Sequence, residues 1–310
     1  MIPVYLINGF LDSGKTEFIQ YTLSQPYFQS KETTLLICCE EGEIEYDEQL
    51  LKQTRTVLEV VEDEDDFTSQ TLIGMEKKCK PGRIIIEYNG MWDMKKMKFP
   101  WHWKVEQQIT CVDGSTFMTY FSNMKSIFAE MIRKSELIIV NRCDQAMENL
   151  PTYKRNIMAI NQKAEIIFED KNGEVNATLE EELPYDVNAP IIELNDEGYG
   201  IWYIDALDNM SRYQGKTVSF VATVMKPDKM AKGYFIPGRM AMTCCADDMA
   251  FLGFACAYDQ ADTLTEKQWV KVTAKVSIEY FADYGKEGPV LKAISVEEAK
   301  KPKEEVINFV

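Results

Sequence analysis

Short apolar runs alternate with amphipathic segments over the first 170 residues of the chain. The runs are rich in β-branched residues, which is typical of strands buried on both faces of a parallel sheet. The predicted strands are residues 2–8, 33–39, 57–61, 83–86, 108–113 and 137–140. Helices are predicted at residues 17–23, before Lys80, and at 115–134, where Phe117 and Phe128 share one face. We therefore predict an α/β domain with a mainly parallel sheet and helices on both faces.

After Lys216 the pattern changes to one strand after another. The predicted strands are residues 217–225, 234–245, 250–258, 269–281 and 290–296. Turn signals at residues 226–229 and 286–289 separate some of them. Five strands in this length predict a small all-β barrel of the OB type. We therefore expect three parts: a first domain at residues 1–170, an acidic, proline-containing linker at 171–204, and an OB-like domain at 205–310.

The segment after the first predicted strand carries the strongest chemical signal. It has the spacing Gly-x-x-x-x-Gly-Lys-Thr of a P-loop, placed between a strand and a helix. The glycines let successive backbone N–H groups turn toward a phosphate, Lys15 would reach the β and γ phosphates, and Thr16 would offer its hydroxyl to Mg²⁺. The residues assigned to the nucleotide here are Gly9, Asp12, Ser13, Gly14, Lys15, Thr16 and Glu17. A glycine-rich turn without a ligand is the alternative.

Two further strand ends supply candidate residues. Glu87 follows residues 83–86, and a P-loop enzyme places its second magnesium contact, or the group that holds the attacking water, at such a position. Gly90 could bring its N–H close to the γ phosphate. After residues 137–140, Asn141, Arg142 and Asp144 are predicted to contact the base. A carboxylate at Asp144 can accept from N1–H and the exocyclic amine of guanine, which adenine lacks. The alternatives are ordinary strand-end turns.

Composition narrows the classes of partner. The 310 residues carry a net charge of −16, which repels nucleic acid and anionic lipid surfaces. No apolar run is long enough to span a membrane, and no basic leader precedes the first strand, so we expect a cytosolic protein. Eight cysteines in that compartment suggest thiols or metal ligands, although adjacent pairs such as Cys38 and Cys39 are equally consistent with buried strand residues. The single histidine, His102, excludes a histidine-rich metal site.

The first 170 residues resemble the CobW/HypB/UreG family of P-loop GTPases, and in particular its CobW branch. The resemblance includes the P-loop with Asp12 at the usual glycine and four later segments in the family's order, residues 39–42, 87–90, 141–144 and 160–164. It implies hydrolysis of GTP, with Mg²⁺, coupled to delivery of a metal, commonly zinc or cobalt. The family's Cys-x-Cys-Cys motif is replaced by Glu62-Asp63-Glu64-Asp65, whose hard oxygen ligands do not favour zinc.

The second domain differs from the usual CobW C-terminal domain. Residues 238–247 are similar to a domain of YcgQ-type proteins that are associated with predicted permeases. Their chemistry makes Cys244, Cys245 and Asp247 candidate ligands of a transition metal. Adjacent strand residues point to opposite faces, so both thiols could reach one ion only through a bulge or turn.

The leading hypothesis is a cytosolic GTPase that binds GTP and GDP, with Lys15 and Glu87 as the catalytic residues. It would act as a metallochaperone or metal-homeostasis GTPase on a metalloprotein client. A second hypothesis is a GTP-gated adaptor that carries no metal and docks on a membrane permease. A small-molecule kinase is a third. A homodimer is compatible with each of these.

Overall fold

The computed structural model describes residues 1–175, 183–227, 230–242 and 249–308. The chain divides into two compact units, Met1–Leu179 and Glu180–Val310.

The first unit is built on an eight-stranded sheet. In chain order its strands are β1 (Ile2–Asn8), β2 (Thr34–Cys38), β3 (Thr56–Val60), β4 (Arg83–Glu87), β5 (Trp103–Asp113), β6 (Leu137–Asn141), β7 (Glu165–Asp170) and β8 (Gly173–Glu174). The spatial order is β3-β2-β4-β1-β5-β6-β7-β8, and every pair is parallel except β7 with β8. The predicted mainly parallel sheet is confirmed.

Six α-helices cover this sheet in the part of the unit that the structure describes. They are α1 (Lys15–Ser24), α2 (Glu48–Gln53), α3 (Ser69–Cys79), α4 (Phe117–Asn123), α5 (Lys125–Ile132) and α6 (Leu150–Ile160). Along β1 the side chains alternate: Ile7 packs with the α1 residues Ile19 and Leu23, whereas Val4 packs with Leu72 of α3. Both faces are therefore buried, which explains why the strands are apolar throughout rather than at every second position.

The helix predicted at residues 115–134 is divided. Met124 adopts φ −130°, ψ 35°, which ends α4, and α5 begins at the next residue. The aromatic side chains on either side of this break still pack together, with the ring centroids of Phe117 and Phe128 5.2 Å apart. A single periodic stripe can thus be shared by two short helices, so periodicity alone did not reveal the break.

The parallel arrangement brings the carboxyl ends of β1 to β7 to one edge, among them those of β1, β2, β4 and β6. The residues after β1 form the glycine-rich loop, and Glu40 follows β2. The segments 87–90 and 141–144 begin with the last residues of β4 and β6. Because β1 lies between β4 and β5 in the middle of the sheet, its loop lies between these other ends.

The second unit is β-rich, and it also contains helices. Its elements are β9 (Ile192–Leu194), α7 (Asp196–Asp208), α8 (Met210–Tyr213), β10 (Thr217–Met225), β11 (Tyr234–Met242), β12 (Met249–Gly253), β13 (Cys256–Ala257), β14 (Trp269–Phe281), β15 (Lys286–Glu298) and β16 (Val306–Asn308). The expected linker at residues 171–204 includes β9 and most of α7. Strands β11, β13, β15, β14 and β10 pair in succession and β10 returns to β11, so they form a closed ring.

One turn in this unit was predicted wrongly. Residues 286–289 were expected to be a turn because of their glycine and proline, but they open strand β15 and pair with Phe281 through Ile278 of β14. The chain reverses at residues 282–285, where Gly285 has φ +64°. Within the described residues, no helix is long and apolar enough to cross a membrane.

Candidate nucleotide site

At both ends of the loop between β1 and α1, the backbone has a conformation that favours glycine. Gly9 has φ +146° and Gly14 has φ +92°. A Cβ atom at Gly9 would lie 2.3 Å from the carbonyl oxygen of Cys111, and one at Gly14 would lie 2.3 Å from Nδ2 of Asn141. The loop is therefore packed tightly between the ends of β5 and β6, and α1 begins directly after it with Lys15.

The ammonium group of Lys15 is buried and fully hydrogen-bonded. Its side chain is 3% exposed, and Nζ donates to the carbonyl oxygens of Gly9 (2.9 Å) and Phe10 (2.8 Å). The third contact is an ion pair with Oε2 of Glu40 at 2.7 Å. Since an ammonium group has three N–H donors, these three acceptors use all of them.

Thr16 and Glu87 are joined at the bottom of the same cleft. The Thr16 hydroxyl donates to Oε1 of Glu87 at 2.9 Å, and the Tyr46 hydroxyl donates to Oε2. Burial raises the pKa of Glu87, and the hydrogen bond from Tyr46, the charge of Lys15 and the hydrogen bond from Thr16 offset part of this rise. A hydroxyl beside a buried carboxylate is a set of hard oxygen donors, so these residues fit the magnesium ion that the motif implies.

Gly90 lies against the backbone of the glycine-rich loop. A Cβ atom there would lie 2.3 Å from the carbonyl oxygen of Gly9 and 2.9 Å from the nitrogen of Phe10. The absence of a side chain thus permits a close approach of two backbone segments. Whether the N–H of Gly90 contacts a phosphate stays a prediction.

Asp12, the residue that replaces the usual glycine, adopts φ +56° and is exposed. Its carboxylate accepts from the backbone N–H of Glu43 at 3.2 Å. The side chain therefore joins the loop that follows β2.

The segment 141–144, at the end of β6, contacts the glycine-rich loop through two side chains. Asn141 Nδ2 donates to the carbonyl oxygen of Ser13 at 2.8 Å, and Arg142 Nη1 donates to that of Asp12 at 2.6 Å. The Arg142 guanidinium also pairs with Asp113 at 2.7 Å and with Glu17 at 3.2 Å. Burial alone would raise the pKa of Asp113, but hydrogen bonds from Ser115 and Arg142 outweigh it, and the pKa is lowered.

Arg142 lines three cavities, and two of them reach the start of α1. One is lined by Lys15, Thr16, Glu40 and Glu87, and the other by Asp144 and Asn141. Both are lined by Gly14, Glu17 and Arg142. The side chain of Asp144 is 35% exposed. The backbone N–H of Lys171 donates weakly to its two carboxylate oxygens, at 3.4 Å to Oδ1 and 3.3 Å to Oδ2.

Several residues of this site escaped the sequence analysis. Glu40 and Tyr46 come from the irregular segment after β2, and Asp113 and Lys171 come from the ends of β5 and β7. The order of the strands in the sheet decides which strand ends become neighbours, so these contacts had no local signal. Glu40 had one indirect signal, its place in a segment similar to a family motif.

The cysteine predictions have different outcomes. Cys38 and Cys39 are buried free thiols at the end of β2, and burial, followed by the charge of Glu87, raises the pKa of Cys38 to about 11. Cys244, Cys245 and Asp247 lie outside the described residues. In the described part of the chain, no group of three or more His, Cys, Asp or Glu side chains is arranged to hold a metal.

The acidic run after β3 has identifiable local contacts. The Asp63 carboxylate accepts from the backbone N–H of Asp65 at 3.0 Å, as the cap of a short 3₁₀ helix at Glu64–Asp66. Glu64 accepts from the backbone N–H of Asp93 at 2.8 Å and pairs with Lys96 at 3.4 Å. These are the contacts of a solvated helix start.

A mainly parallel sheet whose central strand runs through a glycine-rich, lysine-containing loop into a helix defines a P-loop NTPase. Residues 3–168 match the model of the CobW/HypB/UreG nucleotide-binding domain. The match spans more than half of the 310 residues, and the chain belongs to the CobW/HypB/UreG family of GTP-binding P-loop NTPases. Residues 170–307 match the DUF1980 C-terminal domain.

Solved structures with a similar fold include the hydrogenase maturation factor HypB from Archaeoglobus fulgidus, at 16% identity and TM-score 0.41 over 56% of this chain and 84% of HypB. A zinc-bound triple mutant of the YjiA GTPase aligns at 15% identity and TM-score 0.43 over 82% of this chain and 88% of YjiA. HypB from Helicobacter pylori in complex with nickel aligns at 11% identity and TM-score 0.36 over 55% and 80%. At these scores the three likenesses do not identify a ligand of this chain. No curated protein matches it.

Proposed function

We propose that this chain binds GTP and hydrolyses it in the cleft at the carboxyl edge of the first sheet. The observation that carries the proposal is the junction of the two cavities. Gly14, Glu17 and Arg142 line the cavity around Lys15 and also the cavity around Asp144. One nucleotide could therefore place its phosphates at the first and its base at the second.

At the phosphate end, the residues of the glycine-rich loop have distinct roles in this proposal. The loop and the first turn of α1 offer backbone N–H groups to the phosphates, and Lys15 adds a positive charge. Thr16 and Glu87 would hold Mg²⁺, which when bound neutralises charge on the β and γ phosphates. Because Thr16 donates its proton to Glu87 at 2.9 Å, its lone pairs are left available on the other side of the oxygen.

Glu87 is the proposed catalytic carboxylate. It is 2% exposed, which excludes bulk water, and its two oxygens are oriented by the Thr16 and Tyr46 hydroxyls. In this position it would support the metal contact or hold the attacking water. The Arg142 guanidinium is occupied by Asp113 and Glu17, so it does not serve as an arginine finger and intrinsic turnover is slow in this proposal.

At the base end, Asp144 would read the purine. In the described part of the chain, its carboxylate makes long contacts with the backbone N–H and the ammonium group of Lys171, and it keeps acceptor capacity for the two N–H donors of guanine. Adenine offers neither of these donors to the carboxylate. The site therefore favours GTP over ATP.

The experiment is a comparison of GTP and ATP binding by wild type and Asp144→Ala. The preference for GTP should fall by roughly 10- to 100-fold, the range expected for loss of one two-bond base contact. Glu148→Ala is a matched control, because Glu148 is an exposed carboxylate nearby that lines neither cavity. An unchanged preference in Asp144→Ala would remove the base-reading role.

We assign the chain to the CobW branch, and its proposed role is coupling of hydrolysis to metal delivery in the cytosol. The motif resemblance at residues 87–90 and 141–144 supports the branch, and the thiols of Cys244 and Cys245 are the candidate zinc or cobalt ligands. Titration of the reduced protein with zinc and cobalt, with and without GTP, tests the metal role. If Cys244→Ser and Cys245→Ser bind as much metal as wild type, these thiols are not the ligands.

A further inference from the structure

The irregular segment after β2, residues 40–46 (the 40–46 loop), makes side-chain contacts with three residues of the nucleotide site. Glu40 pairs with Lys15, the N–H of Glu43 donates to Asp12, and Tyr46 donates to Glu87. The loop contains no helix or strand. These contacts hold it in place, together with Cys38 Sγ donating to the carbonyl of Glu40 at 3.2 Å and Gln20 donating to that of Glu45 at 3.5 Å. Tyr46 also packs against the apolar cluster that includes Ile19.

The contact with Lys15 directly concerns the phosphates. Two of the three Nζ donors are bound by the carbonyl oxygens of Gly9 and Phe10, which belong to the glycine-rich loop itself. The third donor is bound by Glu40 at 2.7 Å, and this contact can be exchanged for a phosphate oxygen without disturbing the bonds within that loop. A phosphate oxygen therefore gains a bond to Lys15 only where Glu40 gives one up.

Charge adds to this exclusion. The side chain of Glu40 is 10% exposed. Water therefore screens the interaction of its carboxylate with a neighbouring charge only in part. A triphosphate at Lys15 would meet a like charge at close range, the carboxylate would be pushed away, and the loop would lose its ion pair with Lys15.

We propose that Glu40 acts as an internal competitor for the triphosphate, so that binding of GTP to Lys15 releases the 40–46 loop. This inference rests on the proposed GTP site and adds its regulation. The released loop exposes a new surface only when nucleotide is bound, and the cost of breaking the ion pair lowers the affinity for GTP. The loop is thus the part of this domain that would report the nucleotide state to a partner.

The test compares three variants of the full chain for GTP affinity by calorimetry. Glu40→Gln keeps the size of the side chain and removes its charge, and it should lower the Kd for GTP by about 10-fold, within the usual range of coupling between sites. Glu40→Asp keeps the charge and shortens the reach to Lys15, and it should lower the Kd by a smaller factor. Glu41→Gln removes an exposed charge one residue away and should leave the Kd unchanged.

Hydrogen exchange without nucleotide gives a second readout. Backbone N–H groups of residues 40–46 should exchange faster in Glu40→Gln than in wild type or Glu41→Gln. A Kd in Glu40→Gln equal to or higher than that of wild type would overturn the proposal. If neither wild type nor any variant binds GTP, the proposed function fails as a whole, whereas binding by wild type with an unaltered Kd in Glu40→Gln rejects only the competitor role.

Discussion

At the scale of single residues, Glu87 has the most specific set of hydrogen-bond partners in the site. Its position after a buried strand was predictable, because the strand pattern and the glycine three residues later are local features. Its partners were not, since Thr16 is 71 positions away and Tyr46 is 41 positions away in the chain. Tyr46 in particular lies in a polar, irregular segment where nothing in the sequence distinguishes it from a surface tyrosine.

Removal of the Tyr46 hydroxyl should change the pH dependence of hydrolysis. Burial raises the pKa of Glu87, and the hydrogen bond from Tyr46 counteracts this rise. In Tyr46→Phe the pKa of Glu87 is therefore higher still. Because the proposed role needs the carboxylate form, activity should be lost at a higher pH as the solution is acidified. The measurement is kcat/KM for GTP across the acidic range.

Tyr27→Phe is the control for this prediction, because Tyr27 is 78% exposed. Its pH profile should coincide with that of wild type. If kcat/KM of Tyr46→Phe falls at the same acidic pH as that of wild type, the loss of activity at low pH cannot be assigned to protonation of Glu87.

At the scale of elements, the position of the glycine-rich loop depends on neighbouring strand ends as much as on its own sequence. The motif predicted the loop and the helix after it, since its glycines and their spacing are a local pattern. The support that Gly90 gives to this loop depends on β4 lying next to β1, and that neighbour relation is a property of the sheet. The break at Met124 had no sequence signal that we recognised, whereas the turn at residues 282–285 had a local one in Gly285, which has φ +64°.

Gly90→Ala should distort the glycine-rich loop, although Gly90 is not part of that loop. Its Cβ would lie 2.3 Å from the carbonyl oxygen of Gly9, and backbone cannot move aside as a flexible side chain can. We expect a loss of roughly 1–3 kcal/mol in the free energy of unfolding, as for other overpacked sites, together with weaker GTP binding. Chemical denaturation and calorimetry measure the two effects.

Gly74→Ala is the matched control. Gly74 lies within α3, and a Cβ there would meet no atom within 4 Å. The same substitution should stabilise the protein by about 0.5–1 kcal/mol through the better helix propensity of alanine. If both substitutions change the free energy of unfolding equally, the close approach of Gly90 to Gly9 does not affect stability.

At the scale of the whole molecule, the division into a parallel α/β unit and a β-rich unit followed from the change in sequence pattern. The helices of the second unit did not, because α7 has apolar residues on all sides and lacks a helical stripe: Tyr199, Trp202, Ile204 and Ala206 are all buried. Strand β9 has only three residues, too few for any periodicity to be recognised.

The net charge of −16 should slow the approach of a polyphosphate. The cavity around Lys15 is itself lined by carboxylates, among them Glu17, Glu40 and Glu43. Added salt screens this repulsion, so the association rate constant for GTP should rise several-fold with ionic strength, whereas that of uncharged guanosine should be nearly constant. Stopped-flow measurements at increasing KCl concentrations test this. A rate that falls with salt would show that the field of Lys15 dominates the approach.

The complete use of the Lys15 donors also bears on selectivity against small anions. Inorganic phosphate has no base to place beside Asp144, so it would have to displace the Glu40 carboxylate with the contacts of a single ion. A nucleotide would make contacts along the whole cleft, and these would compensate for displacement of the Glu40 carboxylate. If the proposed site is correct, inorganic phosphate should therefore bind the empty protein much more weakly than GTP does.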